Sequence, residues 1–244
     1  MMAIIPAFKT GNKYYPYLLE IRKRFLFVLS TFAVASIVGF FLYNKIVTFI
    51  LRFFSLQGVN IVFTTPFQFF TLALYCGLIV GVVVIIPVVV FQLLGFLKPA
   101  LKPGEYRKIV SILPMALVLF AGGFVYGAAM MKFVLQIFYQ TSINLQIGNV
   151  LDIESFLSNI LMTGLLMGIA FLFPIVMTIL MLLNLVKYSV FQKQRLYAYL
   201  ICVVFVLFLP PPDLVSDVIL FAPLAILFEL TLILNRVFFK THLL

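Results

Sequence analysis

Six stretches of this chain, 14 to 32 residues long, carry a single charged residue between them, and no other feature limits its fold so strongly. They lie at about 25–43, 67–97, 109–131, 155–186, 196–209 and 218–235. Crossing the hydrocarbon of a bilayer takes about 20 apolar residues as a helix. The runs are continuously apolar and do not alternate, which argues against membrane strands. Composition agrees, with 65% apolar and 10% charged residues among 244. A soluble domain has about 45–50% and about 25%, and no compact core of this size hides so much hydrocarbon. The expected fold class is an all-α integral membrane protein, one transmembrane domain over 1–244.

The uneven lengths carry information. The second and fourth runs exceed 30 residues and contain Pro87 and Pro174; they must tilt, kink or project, and each proline removes one backbone hydrogen bond. The fifth, of about 14 residues, and the sixth read as short spans that would thin the bilayer locally.

Charge sets the orientation. Lys9, Lys13, Arg22, Lys23 and Arg24 precede the first span, Lys98, Lys102, Arg107 and Lys108 follow the second, Lys187, Lys193 and Arg195 follow the fourth, and Arg236 and Lys240 follow the sixth. Fourteen of the seventeen basic residues thus share one side, and only Lys45, Arg52 and Lys132 fall on the other, with Asp152, Glu154, Asp213 and Asp217. The positive-inside rule makes the first side cytoplasmic, with both termini there. The net charge of +10 is then mainly a topology signal and not a nucleic-acid footprint. No apolar h-region precedes the N-terminal bases, so the first span itself is expected to direct insertion. The outer stretches 43–66 and 132–154 hold Phe53, Phe54, Leu56, Val59, Leu145, Ile147, Val150 and Leu151, enough for short capping or interfacial helices.

Side chains for catalysis are scarce. The lone histidine, His242, lies near the end, which leaves no His-based nucleophile activation or metal site in the membrane. Cys76 and Cys202 sit inside apolar runs and read as small buried hydrophobes. Asp213 and Asp217 could pair as carboxylates, but their proline-rich loop reads more simply as solvated turn geometry. Glu229 is the one ionisable residue inside a span. It must face protein, a partner or water, or snorkel toward the interface near Arg236. Among the cytoplasmic bases, Glu20 and Glu105 are isolated acids. Glu20 and Arg24 have the i, i+4 spacing that supports a helix; equally, such carboxylates could accept guanidinium forks from a basic ligand. No cofactor is expected, and no glycine run cradles phosphate.

Several motifs, in order along the chain, resemble one family. Tyr17-Leu18-Leu19-Glu20-Ile21-Arg22-Lys23-Arg24 is similar to the "HLxELRxRL" opening of TatC, the multispan subunit of the twin-arginine protein translocase. Phe96-Leu97-Lys98-Pro99-Ala100-Leu101 with Glu105 and Arg107 resembles its "FxxPaLxxxErr" loop, and Pro66-Phe67 its outer Ser-Pro-Phe region. Gln92, Phe124 and Tyr126 also fit, and Pro211-Pro212-Asp213 with Phe228-Glu229 resembles the "TPPD…FE" stretch. Departures are Tyr17 for the family's histidine, Pro210 for its threonine, Met131 for a proline, and Leu172, after Phe171, where the family places a buried span-four glutamate.

The resemblance implies a cupped bundle in the cytoplasmic membrane of a prokaryote, or an equivalent energy-transducing organelle membrane. It implies a chain that binds twin-arginine signal peptides and, with single-span TatA/TatB-type partners in an oligomer, passes folded proteins using the proton gradient. Glu20, Arg22, Glu105 and Arg107 match the peptide-binding residues. Phe171, Leu172 and Glu229 match intramembrane or partner positions, and Pro66, Pro99, Pro211, Pro212 and Asp213 structural loops. The rivals are a small-solute secondary transporter, which would usually show inverted repeats and several midplane polar groups, and an intramembrane hydrolase, which lacks a base.

Overall fold

In lipid a backbone must bond to itself, so an uninterrupted apolar run becomes a helix. The computed structural model describes residues 15–54, 60–62, 64–98, 103–144, 150–183, 185–210 and 213–238. Its long elements are α1 (Tyr15–Phe41), α3 (Gln68–Leu97), α4 (Pro103–Asn144) and α9 (Leu214–Phe238), with α5 (Ile153–Ala170) and α6 (Phe173–Leu182) in series. Short elements join them: α2 (Tyr43–Phe54), α7 (Tyr188–Lys193), α8 (Arg195–Leu207), and strands β1 (Asn60–Val62) and β2 (Val150–Asp152). Five segments are long and apolar enough to cross a membrane, and α8 is apolar but only 13 residues. At 1.5 Å per residue it reaches about 20 Å, against about 30 Å of hydrocarbon. The chain is a multi-pass membrane protein.

Each expected apolar run is helical, with shifted limits. The last is not short: α9 has 25 residues where 18 were expected. The third, expected at 109–131, lies within a 42-residue helix, so residues 132–144 prolong it and make no separate cap. The fourth is broken at Phe171–Leu172. Pro174, in the first turn of α6, has no N–H for the carbonyl of Ala170, so the helix restarts there. Across Pro87, α3 stays continuous. The capping helix expected in 43–66 is α2, and a parallel pairing, Asn60 with Val150 through Val62 with Asp152, ties that segment to the start of α5. Pro99, Pro211, Pro212, Lys102, Val59, Leu145, Ile147, Lys240 and His242 lie outside the described residues.

Close helix pairs assemble the bundle. A Cβ on Gly77 would stand 2.7 Å from the Ser36 carbonyl, and one on Gly127 would stand 2.7 Å from that of Thr163. Glycine is therefore what lets α1 meet α3 and α4 meet α5, as small residues do between membrane helices. Leu72, Cys76, Phe156, Leu157 and Ile160 fill the core between α3 and α5, and Ile50 of α2 packs against it. Met167, Cys202, Val206, Leu220 and Leu224 join α5, α8 and α9. A third cluster sets Leu94 of α3 against Ile109 and Leu113 of α4, with Leu182 of α6 beside them.

Candidate functional site

Glu20 lies in the first turns of α1, where Arg24 stands one turn later on the same face. Arg24 donates from Nε (3.1 Å) and Nη2 (2.7 Å) to Glu20 Oε1. Its Nη1 donates to the backbone carbonyl of Gln92 (3.0 Å) and to Gln92 Oε1 (2.8 Å). All three nitrogens are engaged, so the guanidinium fastens α1 to the end of α3. Gly95 makes room, since a Cβ there would lie 2.8 Å from Nη1. The carboxylate is thereby oriented through one oxygen, while its side chain remains 40% exposed. Arg22 and Arg107 are exposed at the same end. Glu105 stands in the first turn of α4, one turn before Ile109, and Ile109 packs on Leu94, two residues from Gln92. The third core cluster thus brings the backbones of both acidic segments to one end of the bundle; the Glu105 side chain is outside the described set.

Glu229 does not turn to Arg236. Its Oε1 accepts from the Tyr199 hydroxyl at 2.5 Å and pairs with Arg195 Nη1 at 3.5 Å, both on α8. The acid is thus satisfied across an interhelical contact, as an intramembrane carboxylate must be. It also lines an open groove with Phe221, Ala225, Ile226, Leu230 and Ile233. At the helix break, the Phe171 ring lies 5.9 Å from that of Tyr126. Leu172, half-buried, packs on the core of α3 and α5. Beside the break, Ala170, Phe173, Pro174, Ile201, Cys202 and Phe205 enclose a cavity of about 140 Å³ with an almost wholly apolar lining. The position that departs from the family's glutamate therefore lies next to apolar surroundings.

A family model described as "Sec-independent protein translocase protein (TatC)" matches residues 16–223. The chain belongs to the TatC family. It is 27% identical over 230 residues to the translocase protein TatCy of Bacillus subtilis, covering 92% of this chain and 89% of that one. TatC of Listeria innocua is 26% identical over 220 residues, covering 90% and 89%. The crystal structure of the twin arginine translocase receptor TatC in DDM superposes with a TM-score of 0.78 at 24% identity, over 89% of this chain and 98% of that chain. The superposition shows that the two chains share one fold.

Within this TatC chain, two acids expected to mark only the outer side have structural posts. Asp152 caps α5 by accepting from Ser155 N at 2.8 Å, and its other oxygen accepts from Thr64 and Gln68. These bonds, the Ser155 amide first, hold its carboxyl down to about 2. They also anchor the turn containing Pro66 to β2. The Asp-x-x-Ser order was a readable N-cap signal; the partners 84 and 88 residues away were not. Asp213 accepts from the backbone N–H (2.8 Å) and hydroxyl (2.7 Å) of Ser216, capping α9. Thr163 Oγ1 donates to the Pro210 carbonyl at 2.5 Å. Ten residues inside α5, this contact sets the α8–α9 turn about 15 Å along that helix from its start. The small-residue spacings Gly77/Gly81, Gly123/Gly127 and Gly164/Gly168 were another legible sign of helix pairing not used from sequence.

Proposed function

We propose that this chain is the receptor subunit of a twin-arginine translocase, and that Glu20 and Glu105 bind the two arginines of a signal peptide at its cytoplasmic end. The observation that carries this reading is the Arg24–Gln92 clamp on Glu20, which holds one carboxylate oxygen and leaves the group partly exposed beside the first turn of α4. A pre-oriented carboxylate loses less freedom when it meets a ligand. A guanidinium offers it a planar pair of donors, whereas an ammonium offers a point charge. Lys23, Arg22, Arg107 and Lys108 around the site draw it to an anionic membrane surface and oppose a merely cationic ligand. Glu229 and the Phe171–Leu172 break serve as intramembrane or partner positions for single-span TatA/TatB-type subunits. The groove along Glu229 supports this for α9, and the apolar surroundings of Leu172 favour an apolar partner contact there.

Purified protein is titrated with a twin-arginine peptide and with its Lys-Lys counterpart. The Lys-Lys peptide should bind at least about tenfold more weakly, on the scale of one lost charge-assisted hydrogen bond. Glu105→Ala and Glu20→Ala should each abolish crosslinking of the signal peptide while the protein still inserts. Undiminished crosslinking to either variant sinks the assignment of that residue.

A further inference from the structure

Charge counting left three bases, Lys45, Arg52 and Lys132, on the side away from the other fourteen. The fold collects all three around α2. Lys45 and Arg52 are seven residues apart on that helix, hence within about 20° of each other around its axis. Lys132 reaches over from α4. Its Nζ donates to the Phe53 carbonyl at 3.2 Å and sits 5.7 Å from the Phe53 ring centroid. Among the described residues none of the three forms an ion pair. Asp152, the outer acid at the end of β2, is bonded to Thr64 and Gln68 instead.

The rest of α2 is graded around its circumference. Tyr43, Ile46, Val47, Ile50 and Leu51 pack on the core. The opposite side is exposed. One edge of it is aromatic, where Phe49 and Phe53 stack at 6.5 Å and are 70% and 54% exposed. The other edge is polar, with Asn44 and Thr48. Lys45 and Arg52 lie between these edges, and Asn44, Lys45, Thr48, Phe49 and Arg52 line a groove of about 370 Å³. Because α1 ends at Phe41 and a single residue, Leu42, separates it from α2, the helix starts where the first span leaves the hydrocarbon. An aromatic edge, a basic centre and a polar edge, in that order, match acyl chain, headgroup and water.

We propose that α2 binds an anionic phospholipid of the outer leaflet, its phosphate held between Lys45 and Arg52 and its acyl chain against Phe49 and Phe53. A free phosphate would leave the aromatic edge uncovered, and a zwitterionic lipid would bring its own ammonium with its phosphate and so no net counter-charge for the bases. The site lies at the opposite end of the bundle from Glu20 and does not depend on signal-peptide binding.

The chain has no tryptophan, so Phe49→Trp supplies a single reporter in the groove. That variant is reconstituted in phosphatidylcholine bilayers in which either brominated phosphatidylglycerol or brominated phosphatidylcholine replaces a minor fraction of the lipid. Phosphatidylglycerol should quench at a several-fold lower mole fraction. K45Q and R52Q should each cut that preference by about two- to threefold, and together remove it. The single variants keep the test readable if the double one is unstable. Equal quenching by the two lipids overturns the proposal, as does a preference that survives K45Q/R52Q. Reversal by inorganic phosphate would reveal a free-anion site and overturn the lipid assignment.

Discussion

Arg24 holds two helices and one carboxylate with three nitrogens, so its loss should affect binding more than folding. A pair this exposed contributes about 0.3–0.5 kcal/mol to stability, while an unclamped Glu20 samples orientations that miss the ligand. Arg24→Gln should therefore weaken twin-arginine peptide binding by about tenfold, with a melting temperature close to the parent. Arg24→Lys should recover part of the affinity, because an ammonium keeps the charge but loses the fork. Peptide titration beside a thermal melt checks both, and unchanged affinity in Arg24→Gln would remove the orienting role. The i, i+4 spacing made the Glu20–Arg24 pair legible. Gln92, 68 residues on, could not be foreseen as its partner, because nothing in local pattern states where two helices cross. Asp152 gives a pH prediction. Its carboxyl is lowered from 3.8 to about 2, chiefly by the Ser155 amide. Its stabilising contribution is complete above the unfolded value and is lost as pH falls through the folded one. In Asp152→Asn the fall in melting temperature between about pH 4 and pH 2 should be shallower than in the parent.

Among the elements, the interrupted fourth span and the glycine contacts decide the packing. A Cβ on Gly127 would stand 2.7 and 2.9 Å from backbone atoms of Thr163 and Gly164, and backbone cannot swing aside as a long side chain can. Gly127→Val should separate α4 from α5 and destabilise the bundle by about 1–3 kcal/mol. Denaturation in detergent measures this, and a parent-like midpoint would show that the helices already have slack there. That Pro174 lies within a long apolar run was plain from sequence. That the run restarts as a new helix, instead of bending, follows from the tighter turn in which Leu172 N–H donates to the Ile169 carbonyl and from the packing of Phe171 on Tyr126 and of Leu172 on the core. The length of α9 was underestimated because its first turn is polar and capped: Asp213, Ser216 and Asp217 read as loop until Asp213 is seen accepting from Ser216.

For the whole molecule, the proposed six crossings with both ends cytoplasmic require the 13-residue α8 to count as a span beside the five longer ones. At one end of α8, Arg195 and Tyr199 meet Glu229; past its other end, Pro210 meets Thr163. Cys76 and Cys202 are buried, at 1% and 9% exposure, so single added cysteines should be labelled over a low background by a membrane-impermeant maleimide. Lys23→Cys and Lys193→Cys should react only from the cytoplasm, and Asn44→Cys only from outside. Labelling of Lys193→Cys from the same face as Asn44→Cys would mean that the count of crossings before α7 is wrong. Hydrocarbon length and the one-sided excess of bases determined by themselves that this is a helical, multi-pass membrane chain, because lipid leaves a backbone no partner but itself and charges resist translocation. Only the tertiary structure decided which polar groups meet, Arg24 with Gln92 and Arg195 with Glu229, and that the three outer bases gather around α2. Those contacts join residues far apart in sequence, and they exist because glycine surfaces and apolar cores set which helices touch.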